Sequence, residues 1–223
     1  MKQNLLNRRQ FLRQTGYACA GATLLSSSLR TQAAEGKDLW SIGCFNRPWD
    51  AFSYDQALKG LAQAGFETTG LVGNHRSSPE PLLSVDATSE YLKRLKDRIH
   101  ASGLSPIIAW ISGPKARDHA GAVVELKQLI DNAARLGLPS LLSGGPRRNE
   151  TVEAYSKTMA EVMPYAADQG LKIAMKPHGV DSPEVLECVE RVKHSHFSLW
   201  YDAGNMIHYT GEDPVKALHP LAP

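Results

Sequence analysis

Three cysteines in 223 residues are too few for a disulfide scaffold. With 18 Gly and 13 Pro, the chain is neither collagen-like nor of low complexity. A hydrophobic fraction of 42% excludes a disordered chain. An excess of one charge is also missing, since 25 Lys+Arg and 23 Asp+Glu leave a formal net charge of +2. Five of the basic residues (Lys2, Arg8, Arg9, Arg13, Arg30) and no acidic ones fall in residues 1–34. The remainder holds 20 basic against 23 acidic residues, so no basic face argues for nucleic acid as a partner. The apolar run over 15–29 is short and rich in Ala, Gly and Ser, which excludes a permanent membrane anchor there. No Gly-x-Gly-x-x-Gly turn follows the first predicted strand, so a dinucleotide fold has no support.

What the N-terminus does have is the order of a targeting segment. Asn7-Arg8-Arg9-Gln10-Phe11-Leu12-Arg13 precedes the apolar run, and Thr31-Gln32-Ala33 offers small residues at cleavage-site spacing. The arginine pair followed by Phe-Leu resembles the twin-arginine export signal, with Asn7 where the pattern usually has Ser. The reading is a signal peptide over 1–34 and a periplasmic or exported protein. The alternative is a basic amphipathic helix. Cys19 would leave with this leader, and Cys44 and Cys188 are expected as free, partly buried thiols.

The rest of the chain is organised by glycine. Gly65, Gly103, Gly137 and Gly170 lie 38, 34 and 33 residues apart, and each ends a helical pattern and opens an apolar run. Glycine just past a helix supplies the left-handed cap conformation. Ser53-Tyr54-Asp55-Gln56 reads as a capping box, and Ser182-Pro183-Glu184 as a helix start. Strands are predicted over 39–45, 66–72, 105–110, 138–143, 171–176 and 197–202. They are apolar on both faces and alternate with helices, which argues for a parallel sheet covered by helices. Six strand–helix units result, the last helix being a stub over 214–218. An eight-unit barrel and an open doubly wound sheet both remain compatible with that pattern.

In parallel α/β folds the site lies at the carboxyl ends of the strands. That rule nominates Cys44 to Asn46, Asn74 with His75, Trp110, Ser143 to Gly145, Lys176 with His178, and Asp202 with Asn205. Two segments carry the most information: Lys172-Ile173-Ala174-Met175-Lys176-Pro177-His178-Gly179, and Trp200-Tyr201-Asp202-Ala203-Gly204-Asn205 followed by Gly211-Glu212-Asp213-Pro214.

These ordered segments resemble the sugar isomerase/epimerase family with the xylose-isomerase-like barrel, over roughly residues 39–218. The resemblance implies a (β/α)8 TIM barrel over 35–223 with about six of its units in this chain, so that two more are expected beyond Pro223. It implies proton abstraction next to a sugar carbonyl and a small-molecule sugar or sugar derivative as ligand. It also implies a divalent metal (Mn, Mg, Co or Zn) at the barrel mouth. The family's usual ligands are a Glu ending strand five, an Asp ending strand six, and a His and a Glu on later strands. Asp202 matches the Asp and is the expected metal ligand. Lys176 stands where the Glu is expected, and an ammonium repels a cation. Neighbouring strands would let Lys176 and Asp202 form an ion pair instead.

Lys176 and His178 are therefore the candidate catalytic groups, with His178 an acid/base or a substitute ligand. His75, Trp110 and Asn205 are the candidate substrate contacts. Each has a plainer alternative: a structural ion pair for Lys176, a capping turn for Asp202, a solvated loop histidine for His75, a core aromatic for Trp110. Ser143-Gly144-Gly145-Pro146-Arg147-Arg148 is either a phosphate loop or a turn with solvated charges. His194-Ser195-His196 has chelating spacing but precedes a strand, at the end opposite the site. A lyase on a keto sugar and a non-catalytic periplasmic carbohydrate-binding protein are the alternative functions.

Overall fold

A computed structural model describes residues 42–73, 75–77, 80–116, 118–147 and 149–221. The expected leader over 1–34 lies outside them. All four repeat glycines take the left-handed conformation, with φ of +88°, +79°, +78° and +71° in chain order. Each turns the chain from a helix into the next strand, as the spacing requires.

Six strands result: β1 (Gly43–Phe45), β2 (Thr68–Leu71), β3 (Ser105–Ile111), β4 (Ser140–Ser143), β5 (Lys172–Met175) and β6 (Phe197–Leu199). Between them run α1 (Tyr54–Gln63), α2 (Ser89–Ala101), α3 (His119–Leu136), α4 (Val152–Asp168) and α5 (Ser182–Val192). After β6 come a single turn, Ala203–Asn205, a π-helical turn, Met206–Thr210, and α6 (Pro214–Leu218). The five long helices share one start signal. Ser53, Thr88, Asp118, Thr151 and Asp181 each accept the amide three residues on, relieving an orphan donor of the first turn. The capping box of α1 is complete, with Gln56 reaching back to the Ser53 amide.

The strands are parallel, and their spatial order is their chain order, β1 to β6. A doubly wound sheet reverses its order at a switch point. Without a reversal every crossover helix packs on the same face, so the sheet must curl around its other face. A ring contact measures that curl. Phe45 ends β1 and Trp200 follows β6, yet their ring centroids lie 6.5 Å apart. Five flat strand spacings would separate those strands by about 24 Å.

Two apolar clusters follow from this geometry. The large one lies between sheet and helices and includes Leu61, Leu95, Ile130, Leu141, Val162 and Ile173, all at most 1% exposed. The small one is Ile108, Leu142 and Ala174, packed against Phe45, Ile107 and Trp110. It fills the concave side, where the side chains are the alternate residues of each strand. Cys44 and Cys188 are both free, as expected. Among the described residues no helix is long and apolar enough to cross a membrane.

Candidate functional site

The hydrogen-bond ladder runs one residue past the strands and sets the rim of the sheet. Lys176 donates its amide to the Ser143 carbonyl at 2.7 Å, and Trp200 donates to Met175 at 2.8 Å. Lys176 therefore stands level with Trp200, and Asp202 follows two residues on along the adjacent chain. Lys176 Nζ lies 2.9 Å from Asp202 Oδ2, with the two side chains 22% and 26% exposed. The other carboxylate oxygen, Oδ1, accepts the Asn205 amide at 3.0 Å. Asp202 thus caps its turn and holds the ammonium at once, through different oxygens. Burial pushes the Asp202 carboxyl up, but the Lys176 hydrogen bond, the Asn205 and Gly204 amides and the Lys176 charge together outweigh it. The group is held below the ordinary carboxylate value and is ionised at neutral pH.

Asn205 locks the same corner. Its Nδ2 donates to the Pro177 carbonyl at 2.6 Å, tying the loop after β6 to the loop after β5. His178 Nδ1 lies 3.2 Å from the Lys176 carbonyl. A carbonyl only accepts, so the imidazole is the Nδ1–H tautomer when neutral and carries its lone pair on Nε2. Among the described residues Nε2 has no hydrogen-bond partner. The Trp110 ring meets His178 edge-on at 5.0 Å. Gly144 makes this fit: a Cβ there would sit 3.2 Å from the Trp110 ring. On the other side Tyr209, 51% exposed, lies 5.5 Å from the His178 ring. Tyr209 is the residue that sequence reasoning missed. It projects from a π-helical turn, an irregularity common at functional sites and without a periodic pattern to betray it.

Four of the expected site residues, Lys176, His178, Asp202 and Asn205, are thus linked into one network, and Trp110 touches it through His178. His75 has a different task. It is 1% exposed, with Nδ1 facing the Phe52 and Trp49 carbonyls at 2.9 and 3.2 Å. Its Nε2 lies 2.6 Å from Asn46 Nδ2. Asn46 is clamped onto Val72, accepting its amide at 2.7 Å and donating to its carbonyl at 2.8 Å. Both nitrogens of His75 are therefore used in joining the loops after β1 and β2, and neither is left for a ligand. Asn74 and Arg148 lie outside the described residues.

The glycine loop after β4 is likewise braced. Arg147 uses its guanidinium on the Pro114 carbonyl and on Glu150, 3.4 Å away, and its amide meets the same carboxylate at 3.1 Å. That leaves little of Arg147 for a phosphate. His194 and His196 turn their Nδ1 atoms to the His196 amide at 3.1 Å and the Leu171 carbonyl at 2.9 Å, as backbone braces. Glu212 accepts the Ser182 amide and hydroxyl at 3.1 and 3.0 Å, fastening the last loop to the start of α5. Asp213 caps α6.

Residues 58–222 match a protein family described as the xylose isomerase-like TIM barrel. No curated protein matches the chain significantly. Several solved structures share the fold. A sugar phosphate isomerase/epimerase from Parabacteroides distasonis is 14% identical with a TM-score of 0.62, covering 85% of this chain and 75% of that one. A D-psicose 3-epimerase with D-tagatose, from Clostridium cellulolyticum, is 13% identical with a TM-score of 0.60, covering 80% and 70%. A xylose isomerase-like TIM barrel protein from Mycobacterium smegmatis in complex with magnesium is 12% identical with a TM-score of 0.62, covering 82% and 71%.

The donors described at this mouth do not by themselves fit such a cation. Asp202 Oδ2 is engaged by an ammonium at 2.9 Å. No group of three His, Cys, Asp or Glu side chains converges among the described residues. A hard divalent cation needs several oxygen or nitrogen donors, and Lys176 brings a positive charge to that place.

Proposed function

The chain belongs to the xylose isomerase-like TIM barrel family, and from that premise we propose that it is a sugar isomerase/epimerase-type enzyme working on a keto sugar. The observation that carries the reading is the Lys176–Asp202 pair at 2.9 Å, on the strand-end rim next to His178. Removing a proton beside a carbonyl leaves an enediolate, and its charge collects on the former carbonyl oxygen. A fixed cation that meets this oxygen lowers the barrier. Lys176 has three N–H donors, and Asp202 takes one of them. Among the described residues the others have no partner, and they can hold the oxygen. Asp202 is a positioning residue in this scheme. It accepts one N–H of the ammonium and fixes where it points.

His178 is the base. Its Nδ1–H is committed to the Lys176 carbonyl, so Nε2 takes the proton from carbon and returns it to the former carbonyl carbon, while the hydroxyl proton of the first carbon passes to the former carbonyl oxygen. Trp110 and Tyr209 flank the imidazole and offer ring faces to the C–H side of a sugar. The keto-sugar class is supported by the fold neighbours, one a D-psicose 3-epimerase with D-tagatose and one a sugar phosphate isomerase/epimerase. Export through the twin-arginine route belongs to the same proposal and is supported by Arg8-Arg9, the apolar run and the small residues after it.

The test is proton exchange. The chelator-treated protein is incubated in D2O with D-fructose, D-tagatose and D-psicose, and loss of the proton beside the carbonyl is followed by NMR. Exchange is expected, with about a 100-fold loss in His178→Ala, the lower end of general-base contributions. Elimination of a substituent after exchange identifies a lyase. Binding without exchange identifies a carbohydrate-binding protein and refutes the enzyme.

A further inference from the structure

A cavity of about 350 Å³ is bordered by Trp110 and His178 and lies between the ends of β3 and β4 and the helices α3 and α4. Its size is at the small end for ligand sites, which run from roughly 300 to 1,000 Å³. Its surface is largely apolar, made by Trp110, Ile111, Pro114, Leu126 and Met159. The polar groups in it are already satisfied. Ser143 Oγ and the Tyr155 hydroxyl bond to each other at 3.0 Å. Thr158 donates to the Ala154 carbonyl at 3.1 Å. The charges are paired as well, Arg147 with Glu150. An anionic ligand would have to break that pair, whereas a neutral apolar ring leaves it intact.

His178 lines this cavity and also carries the free Nε2 of the proposed base. A ligand held at the base can therefore extend past His178 along Trp110 into the cavity. We propose that the cavity is a substituent subsite, and that the substrate is a keto sugar carrying a neutral apolar group the size of an aromatic ring. This rests on the keto-sugar reading of the mouth and adds the chemical class of what the sugar bears. Met159, flexible and polarisable, is suited to close on the face or edge of such a ring. The Ser143–Tyr155 hydroxyl pair retains lone pairs that accept from a phenolic hydroxyl.

The experiment separates the subsite from the sugar reading by using the ring alone. Binding of 4-fluorophenol to the whole protein is followed by fluorine NMR line broadening. Two cavity-filling variants, Met159→Phe and Leu126→Phe, are measured beside it, each checked for a native circular dichroism spectrum. Ring binding in the unmodified protein, weakened at least 10-fold in whichever variant stays folded, supports the subsite. No broadening at millimolar ring, or broadening unchanged by the filled cavity, overturns it. Deuterium exchange into the unsubstituted keto sugars, run separately, shows whether the keto-sugar reading stands when the subsite fails.

Discussion

Replacing Lys176 with methionine keeps an unbranched side chain one atom shorter and removes its charge, which isolates the electrostatics of the mouth. Exposed ion pairs contribute about 0–1 kcal/mol, and stranding one member of a fully buried pair costs about 3–5 kcal/mol. With 22% and 26% of the side chains exposed, this pair lies between those limits. We expect Lys176→Met to destabilise the protein by about 1–3 kcal/mol. Asp202→Asn should cost less, because asparagine still caps the turn at the Asn205 amide. The double variant strands no charge, so the cycle should return a coupling of about 1–2 kcal/mol from urea unfolding midpoints. The pH dependence follows from the Asp202 carboxyl, which is lowered on folding. Its contribution is fully present above the unfolded value of about 3.9 and is lost as the pH falls through the lower folded value. The stability gap between the unmodified protein and Asp202→Asn should therefore close as the pH drops below about 4. Strict additivity of the two single variants, or a gap that widens in acid, would show that Lys176 and Asp202 are not coupled in the folded protein.

Other outcomes follow from particular contacts. Asn46→Ala leaves the Val72 amide and carbonyl and His75 Nε2 without their partner, and should cost about 2–4 kcal/mol by thermal unfolding, with no native-like rescue by Asn46→Leu. Gly144→Ala places a methyl 3.2 Å from Trp110. It should disturb the Trp110 fluorescence and weaken sugar binding several-fold, while changing the unfolding free energy by less than about 1 kcal/mol. Residues 1–34 fused to a reporter that folds in the cytoplasm should send it out of the cell, and Arg8→Lys with Arg9→Lys should keep it in. Retention of the unaltered fusion would remove the export proposal.

Much of this architecture is legible in the chain. Helix caps and left-handed glycines are local devices, so Ser53, Ser182 and the four repeat glycines announce their elements without help from packing. Strand order is not local. The alternating pattern fits a barrel and a doubly wound sheet alike, and the choice depends on pairings between residues about 30 positions apart. The site divides in the same way. Lys176 and Asp202 stand at the ends of apolar runs, so adjacency of β5 and β6 alone brings them together. In the sequence His75 reads as a loop residue open to ligand or solvent. Its burial depends on Asn46, whose clamp on Val72 is a tertiary contact with no motif. Tyr209 stayed hidden because a π-helical turn has no sequence period to read.

In the function proposed above, the Lys176 ammonium and not a divalent ion is the fixed cation of the mouth. Manganese titration of the chelator-treated protein, followed by electron paramagnetic resonance, tests it without knowledge of the sugar. No stoichiometric uptake of Mn2+ by the unmodified protein is expected at micromolar concentration, and measurable uptake is expected once Lys176→Glu supplies a second carboxylate beside Asp202. Tight uptake by the unmodified protein that Asp202→Asn abolishes would contradict it and return the site to metal chemistry.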